Sequence, residues 1–250
     1  ALEFDETLAT IDVLYGLAFL LMDLYRRGMR RHACQLFNQY LQDQSGIRHL
    51  EGLALLPFFL SCRAAIRAMV GLDRKANVSQ DRTAAIDDDV RQYFAFSRQF
   101  LTPPRARLIV VGGLSGTGKT TVARMLAPDI EPVPGALHLR SDVERKLMYE
   151  WDPEEPLPES AYAEKVTAHV YQRLGDKAEC ALRAGHSVIV DAVFATESER
   201  MDIEARARKA DAEFLGLWLT APADVLYARV SAREGDASDA DVQVVHQQLS

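Results

Sequence analysis

Apolar side chains recur at helical spacing through the first hundred residues. Ile11, Leu14, Leu17, Ala18, Leu21 and Leu24 share one face. Ala33, Leu36, Phe37, Tyr40 and Leu41 repeat the pattern, as do Ile86, Val90, Tyr93, Phe94, Ser97 and Leu101. Leu50 to Val70 is more uniformly apolar and predicts a buried helix kinked or started near Pro57. Asp73 to Asp81 is polar and reads as a loop, and Thr102-Pro103-Pro104 ends the last helix. This predicts an all-helical subdomain over residues 1–102, a linker at 103–106 and a second domain over 107–250.

The texture changes after Arg107. Leu108-Ile109-Val110-Val111 is a short β-rich run followed at once by a glycine-rich turn and a helical pattern. Ser187 to Val190 and Phe214 to Leu219 are further apolar runs, each after a long helical stretch (Ser160 to Ala184, Glu197 to Ala210). Continuous apolar strands alternating with helices predict an α/β domain with a parallel sheet covered on both faces.

Composition changes this picture little. With 48% hydrophobic and 26% charged residues, the chain is neither disordered nor fibrous. The longest apolar runs, Tyr15 to Met22 and Gly52 to Cys62, fall short of the ~20 residues of a membrane span, and no charged-then-apolar leader opens the sequence. Cys34, Cys62 and Cys180 form no CxxC pair, which disfavours a disulfide framework or zinc site and fits a reducing cytosol. Residues 1–104 hold 12 of the 29 basic and 12 of the 36 acidic side chains, so the remainder carries 17 against 24 and all of the net −7. An acidic second half argues against a broad nucleic-acid-binding surface while leaving room for a local anion pocket.

Gly113-Leu114-Ser115-Gly116-Thr117-Gly118-Lys119-Thr120 matches the phosphate-binding loop G-x-x-x-x-G-K-[ST], with Thr121 next in the helix. Shuffled chains of this composition hold the pattern roughly 0.002 times each, so chance is a poor explanation, and it lies where it should, between strand and helix. The glycines let successive N–H groups point into one concavity, and the following helix adds its positive end. Lys119 would reach the β- and γ-phosphates of ATP, and the Thr120 hydroxyl would ligate Mg²⁺.

Three further groups carry candidate chemistry. Asp191 ends the run Val188-Ile189-Val190, so it faces the crevice at the carboxyl ends of the strands and reads as a metal-ligating aspartate or, alternatively, a turn or cap residue. Asp142 ends the run from Leu137 with Arg145 three residues on, a spacing that suits an acceptor-orienting carboxylate beside an anion clamp, or an N-cap beside a solvated arginine. Arg229 and Arg233 lie four apart before a Gly-Asp-Ala-Ser segment, as in a lid over phosphates or a surface helix laced with ion pairs. His138, His169 and His186 show no metal spacing and read as surface or core histidines, Asp87-Asp88-Asp89 as a helix start or solvated run, and Asp152 to Ser160 as a substrate flap or plain connection.

From Arg107 onward these motifs resemble the P-loop kinases related to polynucleotide kinase, zeta-type toxins and gluconate kinase. The carrying residues are the Gly113 to Thr120 loop, Ser141-Asp142-Val143-Glu144-Arg145, Val190 to Phe194 with Glu199-Arg200, and Arg229 to Arg233. The resemblance implies Asp142 as the acceptor-activating carboxylate, Arg145 as substrate or phosphate clamp, and Arg229 and Arg233 as lid arginines. Leu2 to Asp5 with Ile11 to Asp23 is similar to the helical C-terminal part of an aminoglycoside-phosphotransferase-like kinase, and the two together resemble a bacterial fusion of such a domain to a P-loop kinase. Gly16 stands where such sequences tend to carry Asp, and no H-x-D loop precedes it, which implies that the helical segment starts inside that domain and is catalytically silent. Likewise Ser250 arrives before the strand and helix that usually complete such a sheet.

The expected function is an ATP- and Mg²⁺-dependent kinase acting on a small-molecule hydroxyl. The alternatives are an NTP-driven switch or slow NTPase whose helical part docks a partner, a nucleic-acid 5′-hydroxyl kinase, and a relic that binds nucleotide only to fold.

Overall fold

The computed structural model describes residues 12–43, 46–75, 80–152, 155–232 and 236–249. Its N-terminal part is helical: α1 (Val13–Arg26), α2 (Arg30–Asp43), α3 (Arg48–Glu51), which runs through a 3₁₀ turn at Gly52–Leu55 into α4 (Leu56–Lys75), and α5 (Gln80–Phe100). Asp12 caps α1, its carboxylate accepting from the Leu14 N–H at 2.8 Å. Pro57 sits in the first turn of α4, where a missing N–H is tolerated, so the expected kink is the 3₁₀ turn just before it.

The array departs from expectation in three places. Leu50 to Val70 buries only one side: Leu53, Leu56, Leu60, Ala64 and Ala68 are buried, while Leu55, Phe58, Ile66 and Met69 are exposed, because α1 and α5 cover one face alone. Among the described residues, Arg48–Lys75 is the one stretch with the length and apolarity to cross a membrane, and its inner side belongs to the core. In α5 the buried positions are Tyr93, Ser97 and Phe100, and Phe94 and Leu101 point outward, since the stacked rings of Phe96 and Phe100 turn the helix toward Tyr25. The polar segment after Asp73 is helical through Lys75 and again from Gln80; residues 76–79 lie outside the described residues, as do Ile11 and Leu2 to Asp5.

Next come β1 (Arg107–Gly113), α6 (Lys119–Leu126), β2 (Leu137–Arg140), α7 (Ser141–Met148), α8 (Glu164–Arg183), β3 (Val188–Asp191), α9 (Glu197–Lys209), β4 (Glu213–Leu219), α10 (Ala223–Ser231) and α11 (Val242–Leu249). The strands form one parallel sheet in the order β2-β3-β1-β4, with Val111 and Arg140 both in register with Asp191. Parallel neighbours require crossovers, and the long helical stretches between the apolar runs supply them. β1 and β3 are buried on both faces as their unbroken apolar runs predict. β4 corrects that expectation. It is an edge strand, and Phe214, Leu215 and Trp218 remain exposed because nothing among the described residues covers that flank.

Helical array and sheet share one core. Leu14, Leu21, Leu53 and Leu60 belong to the same buried cluster as Leu108, Val110, Val188 and Val190, joined through Leu174 and Ala178 of α8. On the other face of the sheet, Cys34 of α2 packs with Ile109, Val111, Ala123 and Ile189. Asn38 stitches α2 to the sheet: its Nδ2 donates to the Ala136 carbonyl at 3.1 Å and its Oδ1 accepts from the His138 N–H at 2.6 Å. His186 completes the junction, its ring tilted 51° against the Phe37 ring at 4.8 Å with Nε2 2.9 Å from the Gly135 carbonyl.

Candidate active site

The turn from β1 to α6 carries the phosphate loop. Gly113 (φ +137°) lies so close under β4 that a side chain would strike the Leu219 carbonyl, and a Cβ on Gly116 (φ +85°) would come within 2.9 Å of the Leu226 carbonyl. Only glycine takes both the conformation and the close approach. Thr117 Oγ1 donates to the Leu114 carbonyl at 2.7 Å and Lys119 Nζ to the same oxygen at 3.0 Å, so the lysine folds back across its own loop. The Ser115 N–H is taken by Gln248 Oε1 of α11 at 2.8 Å. Thr121, expected among the nucleotide-binding residues, is exposed in the first turn of α6.

Thr120 faces the end of β3. Its hydroxyl donates to Asp191 Oδ2 at 2.5 Å, and Asp191 is only 4% exposed. Burial alone would raise the Asp191 carboxyl, but the His138 imidazole, the Thr120 hydroxyl and the Lys119 charge outweigh it and hold the group below the usual carboxylate range. A buried, ionised carboxylate beside a threonine hydroxyl is a set of hard oxygen donors, and it fits Mg²⁺, which takes one or two protein oxygens and completes its shell with phosphate and water. Among the described residues no group of three or more His, Cys, Asp or Glu side chains forms a self-sufficient metal cage.

Two residues beside Asp191 had no site role in the sequence reading, which took His138 as a surface or core histidine and gave Arg140 none. His138 Nε2 stands 3.5 Å and Arg140 Nε 3.9 Å from Asp191 Oδ2, and both nitrogens are buried without a hydrogen-bond partner. Their signal was the strand period: in β2 alternate residues share a face, and positions 138 and 140 pair with Ile189 and Asp191.

Asp142 lies in the first turn of α7 with its cap at Arg140, not itself at the cap. Burial raises its carboxyl above the usual range and the like charge of Asp191 adds to this, against the pull of Arg140, the Ser238 hydroxyl and Lys119. Arg145, one turn on, is buried: it donates to the Ala161 carbonyl at 2.6 Å and lies 4.8 Å over the Tyr162 ring, while its Nε stays unpartnered. It therefore anchors the Ala161–Tyr162 turn, and Glu199 closes a capping box with Thr196 while Arg200 holds the Phe194 carbonyl at 2.7 Å. Arg229 donates to the Gly116 carbonyl at 3.3 Å from the side of α10, and Arg233 lies outside the described residues.

Ion pairs distant in sequence fix this end of the sheet. Glu144 is buried between Arg173 (2.6 Å) and Lys177 (2.5 Å) of α8. Lys146 Nζ meets Asp239 Oδ1 at 3.0 Å, and Asp239 also accepts from the Leu157 N–H at 3.0 Å and the Tyr162 hydroxyl at 2.5 Å. Arg140 reaches Asp236 at 2.6 Å. The segment after α10 is thus tied over β2 and α7 rather than splayed away from them.

A parallel sheet in the order β2-β3-β1-β4, with a phosphate loop after β1, an aspartate ending β3 and another in the helix turn after β2, defines a P-loop nucleotide-binding fold preceded by a helical array. The chain belongs to the AAA domain family, whose model matches residues 108–250. Uncharacterized proteins of Mycobacterium tuberculosis and Mycobacterium bovis are each 32% identical over 247 residues, which is 97% of this chain and 47% of theirs. The chain spans about half the length of these curated relatives. Among solved structures, a candidate kinase of Chloroflexus aurantiacus aligns at TM-score 0.44 and 24% identity, covering 56% of this chain and 75% of its own. A sugar kinase of Janibacter aligns at TM-score 0.39 and 23% identity, covering 58% of this chain and 76% of its own.

Proposed function

We propose that this chain is an ATP-dependent kinase that passes the γ-phosphoryl group to a hydroxyl of a small molecule, with Mg²⁺. The observation that carries the reading is Asp142, a half-buried carboxylate in the field of Lys119, Arg140 and Asp191 at the open end of the sheet. A molecule that only bound or hydrolysed nucleotide would have no use for a second carboxylate whose burial works against its charge.

The loop amides and Lys119 would hold the phosphates of ATP, and Thr120 with Asp191 would hold Mg²⁺, which when bound supplies positive charge against the β- and γ-oxygens. Asp142 orients the acceptor hydroxyl and takes its proton as the oxygen attacks the γ-phosphorus. The bond from that phosphorus to the β–γ bridging oxygen breaks, and ADP departs. Arg229 and Arg233 would offset charge on the loose transition state from the lid side. Arg145 acts by seating the turn above Asp142. On the resemblance described above, helices α1 to α5 correspond to the helical C-terminal part of a phosphotransferase-like domain.

The test is the fate of the γ-phosphate. Wild type should transfer it to an acceptor, and Asp142→Asn should lose transfer by about 10²–10⁴-fold while still binding ATP. Full transfer by Asp142→Asn overturns the assignment.

A further inference from the structure

Residues 236–239, which follow α10, lie across β2 and α7 and are fastened there at two points. Asp236 accepts from Arg140 Nη2 at 2.6 Å, and Asp239 pairs with Lys146 Nζ at 3.0 Å while accepting from the Leu157 N–H and the Tyr162 hydroxyl. The Arg140 and Lys146 side chains are only 11% and 2% exposed, so these pairs are shielded from water and seat the segment firmly. Arg140 stands two residues before Asp142 and Lys146 four after it, so the two fastenings bracket Asp142.

Ser238 lies between them. Its N–H donates to Asp236 Oδ1 at 3.0 Å, which fixes its backbone, and its hydroxyl donates to the Asp142 carboxylate. A hydroxyl on that carboxylate is the arrangement the kinase reading requires of an acceptor. Neighbouring hydroxyls are engaged elsewhere, Thr120 with Asp191 and Tyr162 with Asp239. Asp142 feels the charges of Lys119 and Asp191, the groups assigned to the phosphates and the metal, so the hydroxyl it holds would be presented to the γ-phosphate. A hydroxyl held by its own chain also needs no encounter and loses little freedom in reacting.

We propose that Ser238 is a self-phosphorylation site: with ATP bound and no other acceptor present, the Ser238 hydroxyl takes the γ-phosphoryl group within its own molecule. The proposal rests on the kinase reading and adds to it an acceptor built into the chain. In the step, the Ser238 Oγ–H proton passes to Asp142 as Oγ bonds to the γ-phosphorus. The bond from that phosphorus to the β–γ bridging oxygen breaks, and ADP leaves with its electron pair. The product is a phosphoserine ester, a single phosphate per chain.

The experiment incubates the whole chain with Mg²⁺ and γ-labelled ATP, alone and then with a panel of sugars, polyols, nucleosides and oligonucleotides, and follows label on the protein and on the compounds separately. Alone, the chain should take up label that peptide mapping by mass spectrometry places on Ser238. The rate constant should not change on dilution of the protein, as transfer within one molecule requires. Lys119→Ala should lose the label, and Asp142→Asn should slow its uptake about 10²–10⁴-fold. Ser238→Ala should take no label while still binding ATP, and Ser238→Thr should carry it on the threonine, which separates loss of the hydroxyl from loss of the fold. Label on a panel compound with none on Ser238 overturns the proposal and leaves the kinase reading standing; so does label on another residue of the protein, or a rate proportional to protein concentration. Label on Ser238 with no compound labelled upholds the proposal and removes the small-molecule acceptor from the kinase reading. Free phosphate as the sole product overturns both.

Discussion

The hydroxyl of Thr120 donates to Asp191 Oδ2 at 2.5 Å, joining the first turn of α6 to the last residue of β3 across the mouth of the sheet. This contact brings together the two oxygens proposed above to hold Mg²⁺. Thr120→Val keeps the shape but deprives a buried carboxylate of a donor, which should cost about 1–3 kcal/mol of stability. Turnover should fall on the order of 10²-fold with a higher Mg²⁺ requirement, and Thr120→Ser should restore both. Thermal melts and Mg²⁺ titrations of activity check this.

Asp142 should show a conflict between function and stability. Its folded carboxyl is raised by burial, so at neutral pH, where the unfolded chain ionises freely, the charged group works against folding. The cost vanishes as pH falls through the raised value. Asp142→Asn should therefore melt higher than wild type at pH 7 while losing transfer, and its advantage should shrink in acid. A lower melting temperature at pH 7 would contradict this account of the site.

His186 gives the junction between array and sheet a pH response. Burial pushes it down to about 4 from 6.5, against the partial support of the Gly135 carbonyl. Above about pH 6.5 both folded and unfolded chains hold it neutral and nothing changes; below that the unfolded chain takes up a proton that the folded chain refuses, so stability falls until about pH 4. At pH 5 the loss is on the order of 2 kcal/mol. Chemical denaturation at pH 7 and pH 5 should show that much less difference in His186→Gln than in wild type.

The Lys146–Asp239 pair holds the segment after α10 over the site. Removing its counter-charge with Asp239→Ala should cost about 3–5 kcal/mol and expose residues 236–241 to proteolysis. Lys146→Met combined with Asp239→Ala should recover much of the stability but leave the segment loose, because the Leu157 and Tyr162 bonds to Asp239 are gone. Melting temperature and limited digestion separate the two effects.

These contacts also mark where the sequence stops being readable. The phosphate loop was legible because its chemistry is local: eight consecutive residues fix the turn, the amides and the lysine. Asp191 was legible because it ends an apolar run and Asp142 because it follows a short strand by two residues, and strand ends meet at one edge of a parallel sheet. His138 and Arg140 could have been read from the period of β2 but look ordinary without knowing which face holds Asp191. Lys146–Asp239 and Glu144–Arg173 could not be read, since partners far apart in sequence and in short polar segments leave no periodic trace. The exposure of β4 was hidden for the opposite reason. Its apolar run looks like that of a central strand, and only the sheet order places it at an edge.

The most direct measurement is transfer of radiolabelled γ-phosphate from Mg²⁺-ATP to a panel of sugars, polyols, nucleosides and oligonucleotides, with wild type and Lys119→Ala side by side. The account predicts label on one class of small hydroxyl compound, absent with Lys119→Ala. Free phosphate alone, whatever acceptor is supplied, would contradict it and leave a nucleotide hydrolase or switch in its place.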